Sequence, residues 1–249
     1  MARFGPVYRR FRAALVNDTG SAIGTGVDAQ LLLSGNAKLD WDVYRGAPFV
    51  DDADALHRTS LGAFRRQAFD YVGLAERLAT GAILGWVSER TELGPRALGN
   101  RSILAAPFSK NTLKRLNDIK QREPFRPIAP ICLEEDVHTH FDLQRPSPHM
   151  LYFAKVKTDA LQAVTHVDGS ARVQTVNRDQ NAPITELLRA FRHRTGFGVL
   201  CNTSLNFHGS GFINRTSDLV RYSEQAGLDG FVVQGQLFMR DDEHRGAGG

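Results

Sequence analysis

The sequence predicts an α/β or α+β fold built on a mixed sheet. Two observations carry that reading. From about Tyr71 onward, segments of helical period alternate with short apolar strand-like runs, and no internal repeat organises the chain. The composition agrees. With 42% hydrophobic and 23% charged residues over 249 positions, the chain has the make-up of a folded domain, not of a tail or low-complexity linker. No run of about 18 apolar residues is present, so no membrane-spanning helix is expected.

Residues 1–70 are weakly patterned. Ala22 to Gly26 is small and glycine-rich, Leu31 to Leu33 is a short apolar run, and Asp51-Asp52-Ala53-Asp54 is a polar break. The segment reads as an appended or remnant piece with moderate to low internal order. Its basic start (Arg3, Arg9, Arg10, Arg12) is not followed by an apolar stretch, so a secretory signal is not expected and a cytoplasmic location is.

Val72, Leu74, Ala75, Leu78 and Ala79 then recur at helical spacing, with Gly81 as the stop. Ala82 to Val87 reads as a buried strand. Asn111 to Lys120 is helical behind a Ser109 cap, and Pro124, Pro127 and Pro130 keep the next stretch extended. His149 to Lys157 alternates like a strand. Ile184 to Arg194 is an amphipathic helix ending before Gly196, and Gly198 to Asn202 returns as a strand. Ser217 to Ala226 is a last helix, capped by Ser217 or Asp218 and stopped by Gly227, and Phe231 to Val233 is a final strand.

Net charge is only +4, but its distribution is uneven. Nine basic residues fall between Arg90 and Arg126 against Glu92, Asp118 and Glu123, which suggests an anionic ligand. Four loop-like clusters combine Gly or Pro with a fixed cation, amide or hydroxyl. They are Glu92-Leu93-Gly94-Pro95-Arg96-Ala97-Leu98-Gly99-Asn100-Arg101-Ser102, Lys120-Gln121-Arg122-Glu123-Pro124-Phe125-Arg126-Pro127, His166-Val167-Asp168-Gly169-Ser170-Ala171-Arg172, and Asn202-Thr203-Ser204-Leu205-Asn206. Glycine lets backbone N–H groups approach an anion, and arginine supplies a fork of donors. Plainer readings stand beside each. Arg96 and Arg101 as surface charges, Lys120 and Arg122 as helix-end charges, and Asn202-Thr203-Ser204 as turn chemistry are all compatible with the residues alone. His166 with Asp168 is either an acid–base pair or a turn. His138-x-His140 lacks a third nearby metal ligand, and Cys132 and Cys201 sit in apolar surroundings as buried thiols.

Taken in order, the four clusters resemble the C-terminal domain of the NodU/CmcH carbamoyltransferases, over about Val72 to Arg240. The resemblance implies a YrdC-like α/β domain with a twisted mixed sheet over 71–249, preceded at 1–70 by a remnant of the family's N-terminal nucleotide-binding domain. It implies binding of carbamoyl phosphate and ATP, formation of carbamoyl adenylate, and transfer of the carbamoyl group to a hydroxyl or amine of a natural product or nodulation oligosaccharide. By the same match, Lys120, Arg122, Ser204 and Asn206 would line the carbamoyl and phosphate pocket. Arg96, Arg126 and Arg172 fall on the family's anion-holding arginines, and Asn202 would hydrogen-bond the carbamoyl group. Lys120, Arg126 and Arg172 are the expected catalytic cations. ATP with Mg2+ is the implied cofactor pair, although the family's metal-binding His and Asp residues have no counterpart in this sequence. Two departures stand out. The N-terminal domain is almost wholly missing, so a complete transferase would require a separate N-terminal-domain subunit as partner, or this is a truncated copy. The loop Gly209-Ser210-Gly211-Phe212-Ile213 also replaces the family's Gly-Glu-Pro-Ile/Val. A truncated, non-catalytic anion- or nucleotide-binding remnant is the alternative. Nucleic acid is not an expected partner, because only Phe108 and Phe125 interleave with the nine cations.

Overall fold

The computed structural model of the chain describes residues 18–36, 42–51, 59–208 and 210–241. The basic N-terminus, most of the polar break at 52–54 and Gly209 lie outside the described residues. In chain order the elements are helix α1 (Asp18–Ser34), strand β1 (Phe64–Gln67), helix α2 (Tyr71–Ala79), strands β2 (Leu84–Val87) and β3 (Arg101–Ala105), and helix α3 (Lys110–Ile119). Strand β4 (Ala129–Leu133), a 3-10 turn (Glu134–Asp136), the short helix α4 (Val137–His140), and strands β5 (Tyr152–Lys155) and β6 (Ser170–Val176) follow. The chain then runs through α5 (Ala182–Thr195), β7 (Val199–Ser204), α6 (Thr216–Gln225), β8 (Gly230–Val233) and β9 (Gln236–Arg240).

Among the described residues the strands form one sheet in the order β1-β9-β8-β2-β3-β7-β4-β6-β5. Only β2–β8 and β4–β6 are parallel, which makes the sheet mixed as the alternation predicts. Side chains alternate across it. On one face, Ile103, Cys132, Cys201 and Phe231 pack against Leu116 and Ile119 of α3 and Leu219 and Val220 of α6. On the other, Leu84, Trp86, Leu104, Leu200 and Val232 pack against α2 and α5 through Leu74, Leu78, Ile184, Leu187 and Phe191. Burial on both faces explains why these strands read as continuous apolar runs. Cys132 and Cys201 are fully buried free thiols, and burial pushes both up in pKa.

Local chemistry sets the helix boundaries. Ser109 accepts a hydrogen bond from the Asn111 N–H at the start of α3, and Asn181 does the same for Ile184 at the start of α5. Gly196 closes α5 in the left-handed region with φ 84°. One expected cap is corrected. Neither Ser217 nor Asp218 caps α6; its first N–H, on Thr216, is taken by the carboxylate of Asp51 from the segment before β1. The low-order reading of residues 1–70 is corrected as well. They contain the 17-residue helix α1, whose end exposes Leu31 to Leu33, and β1, the edge strand paired with β9.

Candidate functional site

Helix α3 ends in a turn that presents two cations. Lys120 is its C-cap, and Gln121 follows with φ 49°, a conformation costing a non-glycine residue about 1 kcal/mol. The N–H groups of Gln121 and Arg122 close the turn on the carbonyls of Asp118 and Asn117. The fully buried Asn117 side chain then donates to the carbonyls of Pro124 (3.1 Å) and Arg126 (2.9 Å). Asn117 thereby holds the whole Arg122-to-Arg126 loop closed.

That loop meets the end of β7. Lys120 Nζ donates to the Ser204 carbonyl (2.7 Å), Asn206 Oδ1 (2.8 Å) and the Asn206 carbonyl (3.3 Å). Arg122 donates to Thr203 Oγ1 at 3.1 Å, and Ser204 Oγ donates to Asn206 Oδ1 at 2.7 Å. Lys120, Arg122, Arg126, Ser204 and Asn206, together with Tyr222 from α6, line a cavity of about 250 Å3. Five expected pocket residues are thus brought together. Burial, and then the neighbouring Arg122, bring the Lys120 ammonium down to about 8. Burial and Arg126 also lower Arg122. Among the described residues neither Lys120 nor Arg122 has a carboxylate partner; Arg126, largely exposed, pairs with Glu123 at 3.5 Å.

Arg172 and Arg96 form a second cation pair. Arg172 lies within β6 and not in a loop, and it is half-buried. Burial, and then the Arg96 charge, bring Arg172 down to about 10. Neither arginine has a hydrogen bond or ion pair among the described residues. Strand register relates the two pairs. Asn202 stands opposite Ala129 of β4, and the parallel β4–β6 register, continued back from Ile131 and Gln174, sets Arg172 level with Ala129. Two strand spacings, roughly 10 Å, therefore separate Arg172 from Asn202. By parity Arg172 shares the α2/α5 face with Val176, whereas Arg122 reaches Thr203 on the α3/α6 face.

Asn202 ties the two halves together. Its Nδ2 donates to the Ala97 carbonyl (3.0 Å) and to Gln174 Oε1 (2.8 Å), leaving only Oδ1, buried and without a partner, for anything else. The Arg96 loop is shaped by Glu92, whose Oε1 accepts the N–H groups of Leu98 (2.6 Å), Asn100 (2.7 Å) and Arg101 (3.3 Å). Burial raises the Glu92 pKa. Gly99, at φ 113°, completes the loop where Asn181 Nδ2 would lie 3.2 Å from any Cβ. Arg101 is not a surface charge. It is fully buried and donates to the carbonyls of Ser88, Glu89, Asn100 and Ile213 and to Asn214 Oδ1. The Asp168 carboxylate accepts from the N–H and Oγ of Ser170, so it closes a turn; His166 meets Ser170 Oγ at 3.2 Å instead.

Comparison with known proteins follows the same clusters. The family model described as "Carbamoyltransferase C-terminus" matches residues 75–240. The chain is 46% identical over 240 residues to a 3'-hydroxymethylcephem-O-carbamoyltransferase of Streptomyces clavuligerus, covering 96% of this chain and 45% of that protein. It is 40% identical over 228 residues to nodulation protein U of Rhizobium tropici, covering 90% of this chain and 38% of that one. The chain therefore spans less than half the length of these relatives. Among solved structures, full-length HypF in its phosphate- and nucleotide-bound form aligns with a TM-score of 0.48 at 16% identity, over 72% of this chain and 22% of that one.

Proposed function

The chain belongs to the carbamoyltransferase C-terminal family, and from that premise we propose that it binds carbamoyl phosphate and ATP and joins them as carbamoyl adenylate. The observation that carries this reading is the pairing of four cations that have no carboxylate partner among the described residues: Lys120 with Arg122, and Arg96 with Arg172, on either side of the end of β7. Two cation pairs can hold two anionic groups, and this reaction brings two together. A carbamate oxygen, formed when carbamoyl phosphate gives up its phosphate to water, attacks the α-phosphorus of ATP, and pyrophosphate leaves. Such chemistry needs charge neutralised and groups positioned, not a protein nucleophile. Cations fixed by a helix-end turn and a strand serve that purpose without reorganising. Desolvation strengthens their field at the cost seen in their lowered pKa values.

The donors at this cavity are ammonium, guanidinium, amide and hydroxyl groups. Among the described residues no three His, Cys, Asp or Glu side chains converge, and no carboxylate lines this cavity. In this reading, acceptor binding and the final transfer to a hydroxyl or amine belong to the portion of the relatives that the chain does not cover. Calorimetric titration of the full chain with carbamoyl phosphate tests the binding half. Heat of binding that weakens with added salt is expected. No detectable binding at millimolar ligand would end the proposal.

A further inference from the structure

Within the cavity at the end of α3, the donors are unevenly spent. An ammonium group has three N–H donors. Those of Lys120 are all engaged by oxygens of Ser204 and Asn206, at 2.7, 2.8 and 3.3 Å. Two other donors, on residues that line the same cavity, have no partner among the described residues. Arg122 Nε is buried and unbonded, although the far end of its guanidinium is pinned to Thr203. Tyr222 Oη is likewise buried and unbonded, in a residue only 6% exposed. Buried polar groups without a partner call for an explanation, and two of the ten among the described residues belong to side chains lining this one cavity, which points to an acceptor there. We infer that Arg122 and Tyr222 make the direct contacts to a phosphate-type oxyanion in this cavity, while Lys120 supplies charge from behind them without touching it. The inference rests on the anion-site reading given above and adds Tyr222 as a binding residue.

The setting of Tyr222 suits that part. Its ring is fixed edge-on to Phe207 at 5.4 Å, and Lys120 Nζ lies 5.9 Å from the ring centre. The phenol therefore cannot swing away to find water without breaking aromatic packing. Burial pushes its pKa up to about 12, so at neutral pH it keeps its proton and donates it in a hydrogen bond. At about 250 Å3 the cavity is smaller than the ~300–1,000 Å3 typical of larger ligands. It fits the phosphate of a small molecule such as carbamoyl phosphate better than a whole nucleotide.

The test uses the full chain with Tyr222→Phe, which keeps the ring, alongside Arg122→Ala and the exposed control Lys114→Ala. Inorganic phosphate, carbamoyl phosphate and ATP are each titrated by calorimetry, and the thermal transition is recorded for every variant. Tyr222→Phe is expected to weaken phosphate and carbamoyl phosphate about tenfold, with Tm unchanged or slightly raised because an orphaned donor is gone. An equal loss for ATP would assign the contact to a nucleotide phosphate and still support the two-donor clamp. Wild-type affinities in Tyr222→Phe, with binding lost in Arg122→Ala, would overturn the part given to Tyr222 and leave the anion site standing. Absence of phosphate and carbamoyl phosphate binding to the unaltered chain would instead overturn the site reading itself, and this inference with it.

Discussion

Replacing Arg172 by methionine should make the protein more stable and worse at binding. Methionine keeps the aliphatic stem that packs along β6 and removes only the charge. In the folded chain that charge has no hydrogen bond or ion pair among the described residues, and burial and the Arg96 charge bring its pKa down to about 10. A depression of that size corresponds to a penalty on the order of 3 kcal/mol, and with solvent screening about 1–2 kcal/mol should be recovered when the charge goes. For a chain of this length, that means a Tm higher by roughly 2–8 °C. The same change removes charge-assisted hydrogen bonds to a bound anion, about 1.5–3 kcal/mol, or about ten- to 150-fold in affinity. Differential scanning calorimetry and titration with carbamoyl phosphate and ATP on one preparation measure both. A gain in stability with a loss in affinity is the signature of a residue held for a ligand. A lower Tm with unchanged affinity for both ligands would show that Arg172 is a structural cation and that the reasoning is wrong.

Three further expectations follow from the same geometry. Lys120, brought down to about 8 by burial, deprotonates in the folded chain before it does in the unfolded one. Its desolvation penalty is therefore fully present below pH 8 and relieved as pH rises above it. Affinity for sulfate, which does not titrate in this range, should fall as pH rises through 8, and Lys120→Arg should flatten the profile. A level wild-type profile to pH 9 would contradict this. Arg101→Leu strands five acceptors around a fully buried site and should cost about 4 kcal/mol or more in urea unfolding, with Arg101→Lys failing to rescue; a shift below about 1 kcal/mol would refute the assignment. Asn202→Leu should cost about 2–3 kcal/mol by unpairing Ala97 and Gln174, and should weaken anion binding by releasing the Arg96 loop. Unchanged unfolding of that variant would remove Asn202 from its tying role.

Much of the architecture was readable because local signals agreed with the fold. Ser109, Gly81 and Gly196 mark helix ends where helices end, and the apolar runs at β2, β7 and β8 are strands buried on both faces. The elements that escaped have weak or contrary signals. Helix α1 is rich in Gly and Thr, poor helix formers, and β1 reads Phe-Arg-Arg-Gln, an edge strand with three exposed polar residues. Strand β9 hides behind a tight hairpin in which Gln234 takes φ 49° where Asn would have announced the turn. Strand β3 begins with Arg-Ser and β6 with Ser-Ala-Arg, which look like loop chemistry. For the site, the motifs singled out the cations but not their sides. Only the register of β6, β4 and β7 shows where Arg172 stands relative to Asn202. Arg101 had no signal separating it from an anion ligand. Tyr222 looked like one more residue of an amphipathic helix, because an orphaned hydroxyl is a property of packing and not of sequence.

The central claim is that this chain joins carbamoyl phosphate to ATP, and isotope exchange tests it most directly. Labelled pyrophosphate incubated with ATP and the full chain should enter ATP only when carbamoyl phosphate is also present. The exchange should be lost in Arg172→Met and in Arg122→Ala, and kept in Lys114→Ala. Carbamoyl phosphate that binds but supports no exchange would contradict the account and leave an anion-binding domain without the chemistry.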